Sequence, residues 1–501
     1  MTLVIDNNDL TLQDFINVTE NNYKVELGPN AKIRIKESRE VVKNLIKQNI
    51  ISYGVTTGFG SLSNVHIPQS ELNTLQHNLI VSSAVGVGDT APQNIILGMY
   101  LLRLKCIANG NSGVRLSTTN KIIEALNKKF IPYVPMQGTL GASGDLCPLS
   151  HLFLGLLGEG QAYDVGTDKY TNAKIVLDKL KIESLTLKAK EGLGLINGTQ
   201  FITSYMAYTM YHALKIIKLS SIIAATTIEA LHGVINAFDE RIHQVKPHIG
   251  QIHVAKEIKD ILSDSEIISS NLENKVQDAY SLRCIPQVHG PVYDLIKFVE
   301  SHVLIEMNCS NDNPLILNND VVSGGNFHGM YMGMGADQLA YAFSILCNIS
   351  ERRTERMINC DLNGFLPKFL ISNPGLNSGF MLVQYTSAGL TAENRQLAMP
   401  GSVSNIPSCQ GMEDIVSMAG WPCRKAVISM KNTYNVFALE LFTAIQALEF
   451  TKKTPNKISE KLVNHIRKTV PFIENDTYMG EYISYINDFL KSDDIFELIK
   501  L

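Results

Sequence analysis

From Asn197 onward the chain is written in long runs of helical period, and this constrains its fold more than any other feature. Apolar residues recur at spacings of three and four through 200–236, 251–262, 290–307, 329–358, 411–450 and 458–470, as in helices with one buried stripe. Strand signals are few and short, as at 314–323. Helices this long bury their stripes best against one another, so the expected class is mainly α, a bundle of long helices. The upstream chain has a different texture. Residues 1 to about 50 read as mixed, with an amphipathic helix in RIKESREVVKNLIKQ. Ile51 to Asn64, containing YGVTTGFGSLSN, reads as an irregular loop. Helical spacing returns between Leu72 and Ala108 with a break from Gly86 to Pro92. A second glycine-rich stretch, Gly138 to Gly144, precedes a helix expected to begin near Leu149, whose stripe is Leu149, Leu152, Phe153, Leu156 and Leu157. This change of texture suggests a smaller mixed N-terminal region, 1–200, and a helical region, 201–501.

Composition excludes several partners. With 45% hydrophobic and 18% charged residues and a net charge of −4, the chain has no basic field for nucleic acid or an acidic membrane. The modest charged fraction leaves surface to be hidden against copies of itself. Eight cysteines lie scattered in apolar segments without a C-x-x-C pair, the usage of a reducing, cytoplasmic compartment. His66, His151, His289 and His328 lack metal-ligand spacing, so no metal is expected. The N-terminus has no basic stretch followed by an apolar one, and no secretion signal is expected. The most apolar tract, Leu219 to Ile228, is closed by Lys218 and Glu229 and is too short to span a bilayer.

The chemistry concentrates in GTLGASGDLCPLSH. Taken alone, it is a glycine-rich turn before a helix. Yet Gly144 has no side chain, so its amide nitrogen can approach the carbonyl carbon of Ala142 closely. Ring closure and loss of water would give an imidazolone, and loss of the Ser143 hydroxyl would leave an electron-poor exocyclic methylene. Ordinary side chains offer no such electron sink. Asp145 is placed to organise the turn, and the positive end of the following helix to face it.

This segment resembles the histidine and phenylalanine ammonia-lyase family, in which Ala-Ser-Gly becomes a methylidene-imidazolone. The resemblance runs from about residue 30 to about residue 450 through YGVTTGFG, GASGDLCPLSH, KEGLGLINGTQ, KVQDAYSLRCIPQVHG, SNDNPLI, SGGNFHG, GLNSGFM and MEDIVSMAGW. It implies an aspartase/fumarase-like helical fold, an electrophile formed from Ala142, Ser143 and Gly144 with no external cofactor, and a homotetramer with shared active sites. It also assigns roles. Tyr53 looks like the base that takes the substrate's β-proton, a task for which an ordinary phenol, ionising near pH 10, needs cations or positive helix ends nearby. Asn197 looks like the group that hydrogen-bonds the electrophile or the substrate amine. Gln277, Tyr280 and Arg283 would share one face if VQDAYSLR is helical, and the planar fork of Arg283 suits a substrate carboxylate. Phe327 would pack near the electrophile.

Two features bear on the substrate and pull apart. Histidine lyases of this family carry Glu at the position of Glu413, where aromatic lyases typically have Gln; a carboxylate can accept an imidazole N–H. They also carry His at the position of Ser83, whereas tyrosine lyases tend to have His-Leu, and phenylalanine lyases Phe-Leu, at Ser82-Ser83. The resemblance thus implies elimination of ammonia from histidine to give urocanate, the first step of histidine degradation. Alternatives are a lyase or aminomutase for another aromatic or polar amino acid, or a catalytically silent tetramer. Replacing Ser143 by Ala should leave the chain at full mass and nearly abolish turnover, by intact-mass measurement and an ammonia-release assay. Substantial activity in S143A would refute a serine-derived electrophile.

Overall fold

The computed structural model describes residues 1–62, 64–270 and 275–500; in the loop expected over Ile51 to Asn64, Ser63 lies outside them. The fold is mainly α, and every sheet among the described residues has two strands. The chain divides into two compact units, each assembled from three stretches.

Met1–Tyr211, Glu300–Asp337 and Pro400–Arg424 form the first unit. Its central helix, Gln93–Ala108, is buried at every position from Ile95 onward, as expected of a helix apolar on nearly all sides. Helices Leu12–Thr19, Pro29–Lys47 and Leu116–Asn127 pack on it. A second group, Leu72–Ser83, Leu146–Leu157 and Glu191–Ile196, packs mutually. The ends of these three helices deliver Ser83, the tripeptide and Asn197. The short helix among them is pinned by the fully buried Glu191 carboxylate, which accepts from the main-chain N–H of Arg115 at 3.0 Å, from its guanidinium at 2.7 and 2.9 Å and from Thr118 Oγ1 at 2.7 Å. Beside it Lys190 Nζ pairs with Asp312 Oδ2 at 3.4 Å, both side chains fully buried.

His212–Val299, Gln338–Met399 and Lys425–Leu501 form the second unit. At its core Arg353 donates to both oxygens of Glu440, at 2.5 and 2.9 Å, while Thr227 and Ser350 donate hydroxyls to the same carboxylate. These residues come from helices Gln200–Ala230, Met330–Ile358 and Gly420–Leu448, so one satisfied polar node ties three long helices together.

Several sequence expectations shift. The helix after the tripeptide begins at Leu146, not near Leu149. Pro148 falls in its first turn, where a missing N–H breaks no helical bond. The segment 411–450 is helical only over Gly420–Leu448; before it, Asn405 donates to Asp414 O and accepts from Val416 N, both at 2.8 Å, which holds a turn. The runs at 200–236 and 458–470 end at Ala230 and Ile466, and that at 290–307 starts at Ile285. Helix Met381–Leu397 was not singled out, because its buried stripe is partly Ser and Thr. Gln277 is not helical: the helix there is only Tyr280–Arg283. Asp278 Oδ2 accepts from Val234 N at 2.6 Å, and Ala279 is extended, so helical bonding cannot start earlier.

Replacing Asp312 by Ala strands the buried Lys190 ammonium and should cost about 3–5 kcal/mol, whereas an apolar pair at both positions should recover most of it. Denaturant unfolding of the single and double variants measures both. A single-variant cost below about 1 kcal/mol would mean the pair is not buried as described.

Candidate active site

The tripeptide lies in a main-chain cradle. Gly144 has φ +71°, and a Cβ there would stand 2.4 to 2.7 Å from the O, N and C of Gly198. Gly198 in turn has φ +150°, and its Cβ would meet Arg103 Nη2 at 2.4 Å, Gln200 Oε1 at 2.6 Å and Asn311 Oδ1 at 2.8 Å. Only glycines allow this approach. The next residue clamps it, Asp145 N donating to Gly198 O at 2.7 Å. On the other side the carbonyl of Gly141 accepts from Ser417 Oγ at 2.9 Å and from Gly329 N at 3.1 Å. The turn preceding Gly144 is thus gripped from several directions, and Ala142 is buried. This arrangement fits ring closure between Gly144 N and Ala142 C: a residue with a side chain at 144 would hold the two segments apart.

Asp145 is fully buried. Its carboxylate accepts from Thr139 Oγ1 at 2.9 Å and from Ile202 N at 3.0 Å, not from its own helix. Burial pushes its pKa up to about 7, against the lowering by these donors. The Asp145 side chain therefore does not cap the first turn of helix Leu146–Leu157, whose N–H end lies next to the tripeptide.

Ser143 donates its hydroxyl to Glu413 Oε1, a short contact. Ser408 Oγ holds the other oxygen at 2.5 Å, and main-chain bonds between Ser408 and Glu413 fix the residue. Ala142, Ser143, Gly144, Glu413, Ser83 and Cys147 line one cavity of about 240 Å3. Burial raises the pKa of the Cys147 thiol. Ser82, one residue earlier, is exposed and donates to Leu79 O at 3.3 Å.

Tyr53 is half-buried in its loop, and its hydroxyl accepts from Gly60 N at 3.3 Å. That loop abuts the Glu413 segment: a Cβ on Gly60 would stand 2.6 Å from Cys409 Sγ. Asn197 is buried; its main-chain carbonyl accepts from Arg103, while its side-chain Oδ1 has no partner among the described residues. Phe327 is half-buried in a turn two residues before Gly329. Gln277, Tyr280 and Arg283 belong to the second unit. Gln277 and Tyr280 are exposed, and the Arg283 guanidinium lies over the Tyr280 ring at 4.7 Å with its Nε buried and without a partner among the described residues.

Sequence reasoning passed over Thr139, Ser408, Ser417 and Arg103, which contact the site through polar atoms. Arg103 alone left a signal, a cation inside the apolar run LGMYLLRLKCIA.

The family model described as aromatic amino acid lyase matches residues 10–468. The chain is 44% identical to histidine ammonia-lyase of Alkaliphilus oremlandii, over 99% of this chain and 98% of that protein. Among solved structures, histidine ammonia-lyase from Trypanosoma cruzi superposes with a TM-score of 0.93 at 37% identity, covering 100% of this chain and 95% of that one. Tyrosine aminomutase from Streptomyces globisporus gives 0.93 at 31% identity, covering 100% and 98%.

Because Asp145 takes up its proton more readily folded, near pH 7, than unfolded, near the ordinary 3.8, its contribution to stability is full below the lower value and is lost as pH rises toward the upper one. Asp145→Asn should flatten that decline. Denaturant midpoints at pH 5 and pH 7.5 compare the two proteins, and parallel pH dependence would show that Asp145 is not the titrating group.

Proposed function

Since this chain belongs to the aromatic amino acid lyase family, we propose that it eliminates ammonia from L-histidine, giving urocanate. The observation that carries the reading is the contact of Glu413 with Ser143 inside the cavity that Ser83 also lines. The residue type that marks histidine lyases is thereby joined to the tripeptide itself. A methylidene-imidazolone formed from Ala142, Ser143 and Gly144 would supply the electron sink that makes the poorly acidic β-proton or the poor leaving amine reactive.

The remaining work falls to ordinary side chains. The Tyr53 oxygen receives the β-proton. The Arg283 fork holds the substrate carboxylate through two parallel bonds, with Gln277 and Tyr280 beside it in the same segment. The partnerless amide oxygen of Asn197 accepts from the substrate ammonium, and pairing it removes the cost of its burial. Glu413, already held by Ser408, accepts the imidazole N–H and stabilises positive charge on the ring. Phe327 closes the site near the tripeptide. The exposure of Gln277 and Tyr280 supports a homotetramer in which these residues serve a site shared between copies, and we place that assembly in the cytoplasm.

Ser83 favours a second reading. A hydroxyl where histidine lyases carry imidazole leaves the pocket larger and differently polar, so another aromatic or polar amino acid can enter, with either release of ammonia or return of the amine to the β-carbon. A panel of histidine, tyrosine and phenylalanine, scored for ammonium and unsaturated acid, decides. Histidine should be turned over fastest, and Ser83→His should raise its kcat/KM about tenfold, the worth of one hydrogen bond to a charged group. Faster turnover of an aromatic substrate, or a β-amino acid as product, would overturn the histidine-lyase reading.

A further inference from the structure

Arg103 is fully buried in the central helix Gln93–Ala108. Among the described residues no carboxylate lies within ion-pair distance of it, and the nearby Asp312 carboxylate is paired with Lys190. Its guanidinium instead reads main chain. Nη2 donates to Asn197 O at 2.8 Å and, in a short contact, to Gln200 Oε1; Nη1 donates to Gly194 O at 3.3 Å. Gln200 is itself fixed, its Nε2 donating to Asn311 Oδ1 at 2.7 Å, and Asn311 Nδ2 donating to Thr199 Oγ1 at 2.6 Å. The cation thus spans both ends of the segment Gly194–Gln200.

That segment carries two things the reaction needs. One is Asn197, whose amide oxygen is buried and has no partner among the described residues. The other is Gly198, the peptide against which Gly144 closes. A buried cation is costly unless its donors are satisfied; here both terminal nitrogens are bonded while Nε has no partner among the described residues, so these acceptors set the orientation of the guanidinium. We propose that Arg103 is a positioning residue of the reaction, acting through Asn197 and Gly198: it fixes from behind both the free amide oxygen and the main-chain wall of the tripeptide. The inference rests on the lyase reading above.

Lysine keeps the charge but cannot reach Asn197 O, Gln200 Oε1 and Gly194 O together, because it lacks the planar fork. In the full-length protein, Arg103→Lys should lower kcat per matured chain at least tenfold and leave KM for histidine within about threefold. Maturation is counted from the loss of two waters in the intact mass. A purely structural role would multiply independently with loss of the Asn197 side chain. Action through Asn197 predicts instead that R103K combined with Asn197→Ala is no slower than N197A alone. If R103K does not fold, Gln200→Glu replaces it. This variant gives the guanidinium a carboxylate partner and draws it from Asn197 O, and it should show the same kcat loss and the same non-additivity. Wild-type kcat per matured chain in the folded variant, or effects that multiply with N197A, would overturn the proposal. A wild-type chain that loses no water, or releases no ammonia from histidine, would fail the lyase reading itself and is seen before any variant is made.

Discussion

Two glycines more than fifty residues apart in sequence, Gly144 and Gly198, touch through main chain alone, and the rest of the site hangs on that contact. Neither position has room for a methyl group. Because nothing but peptide separates the two segments, a hydrogen bond made to one constrains the other. Asp145 N on Gly198 O sets their register. The Asp145 carboxylate then reaches Thr139 on one side and Ile202 on the other, tying the tripeptide loop to the start of a long helix. Arg103 and Gln200 hold the far face.

This arrangement explains why so much polarity is buried in one place. Glu191, Lys190, Asp312, Arg103 and Asp145 are all excluded from water in the first unit. Each would be expensive alone. Together they pair with one another or with main-chain groups and so admit few alternative packings. The second unit shows the same principle in the Arg353–Glu440 node, where it orders long helices rather than a loop.

Much of the fold could be read in advance where the pattern was long and periodic. The helices at 329–358 and 251–262 fall within two residues of their expected limits, because an apolar stripe of that length has no other low-energy form. Two of the failures share a cause. At 411–419 and at Gln277 a side chain, Asn405 or Asp278, bonds main chain and outcompetes the helix. At Leu146 the helix starts two residues ahead of a proline, which a first turn tolerates. Within the site, Ser83, the tripeptide and Glu413 stood in recognisable motifs and line one cavity. Thr139, Ser408 and Ser417 were invisible, since a lone hydroxyl carries no pattern.

The sequence by itself determined the helical class, the glycine-flanked turn of the tripeptide, and the residue types from which a lyase site can be built. These are local properties, fixed by periodicity, by the absence of side chains at particular glycines and by the chemistry of single residues. Only the tertiary structure decided that Gly198 is the wall against which Gly144 is pressed, that Glu413 grips the Ser143 hydroxyl, and that Arg103 faces carbonyls rather than a counter-ion. Those outcomes depend on which distant segments meet, and that is settled by packing of the whole core, a sum over many weak contacts that no short stretch of sequence contains.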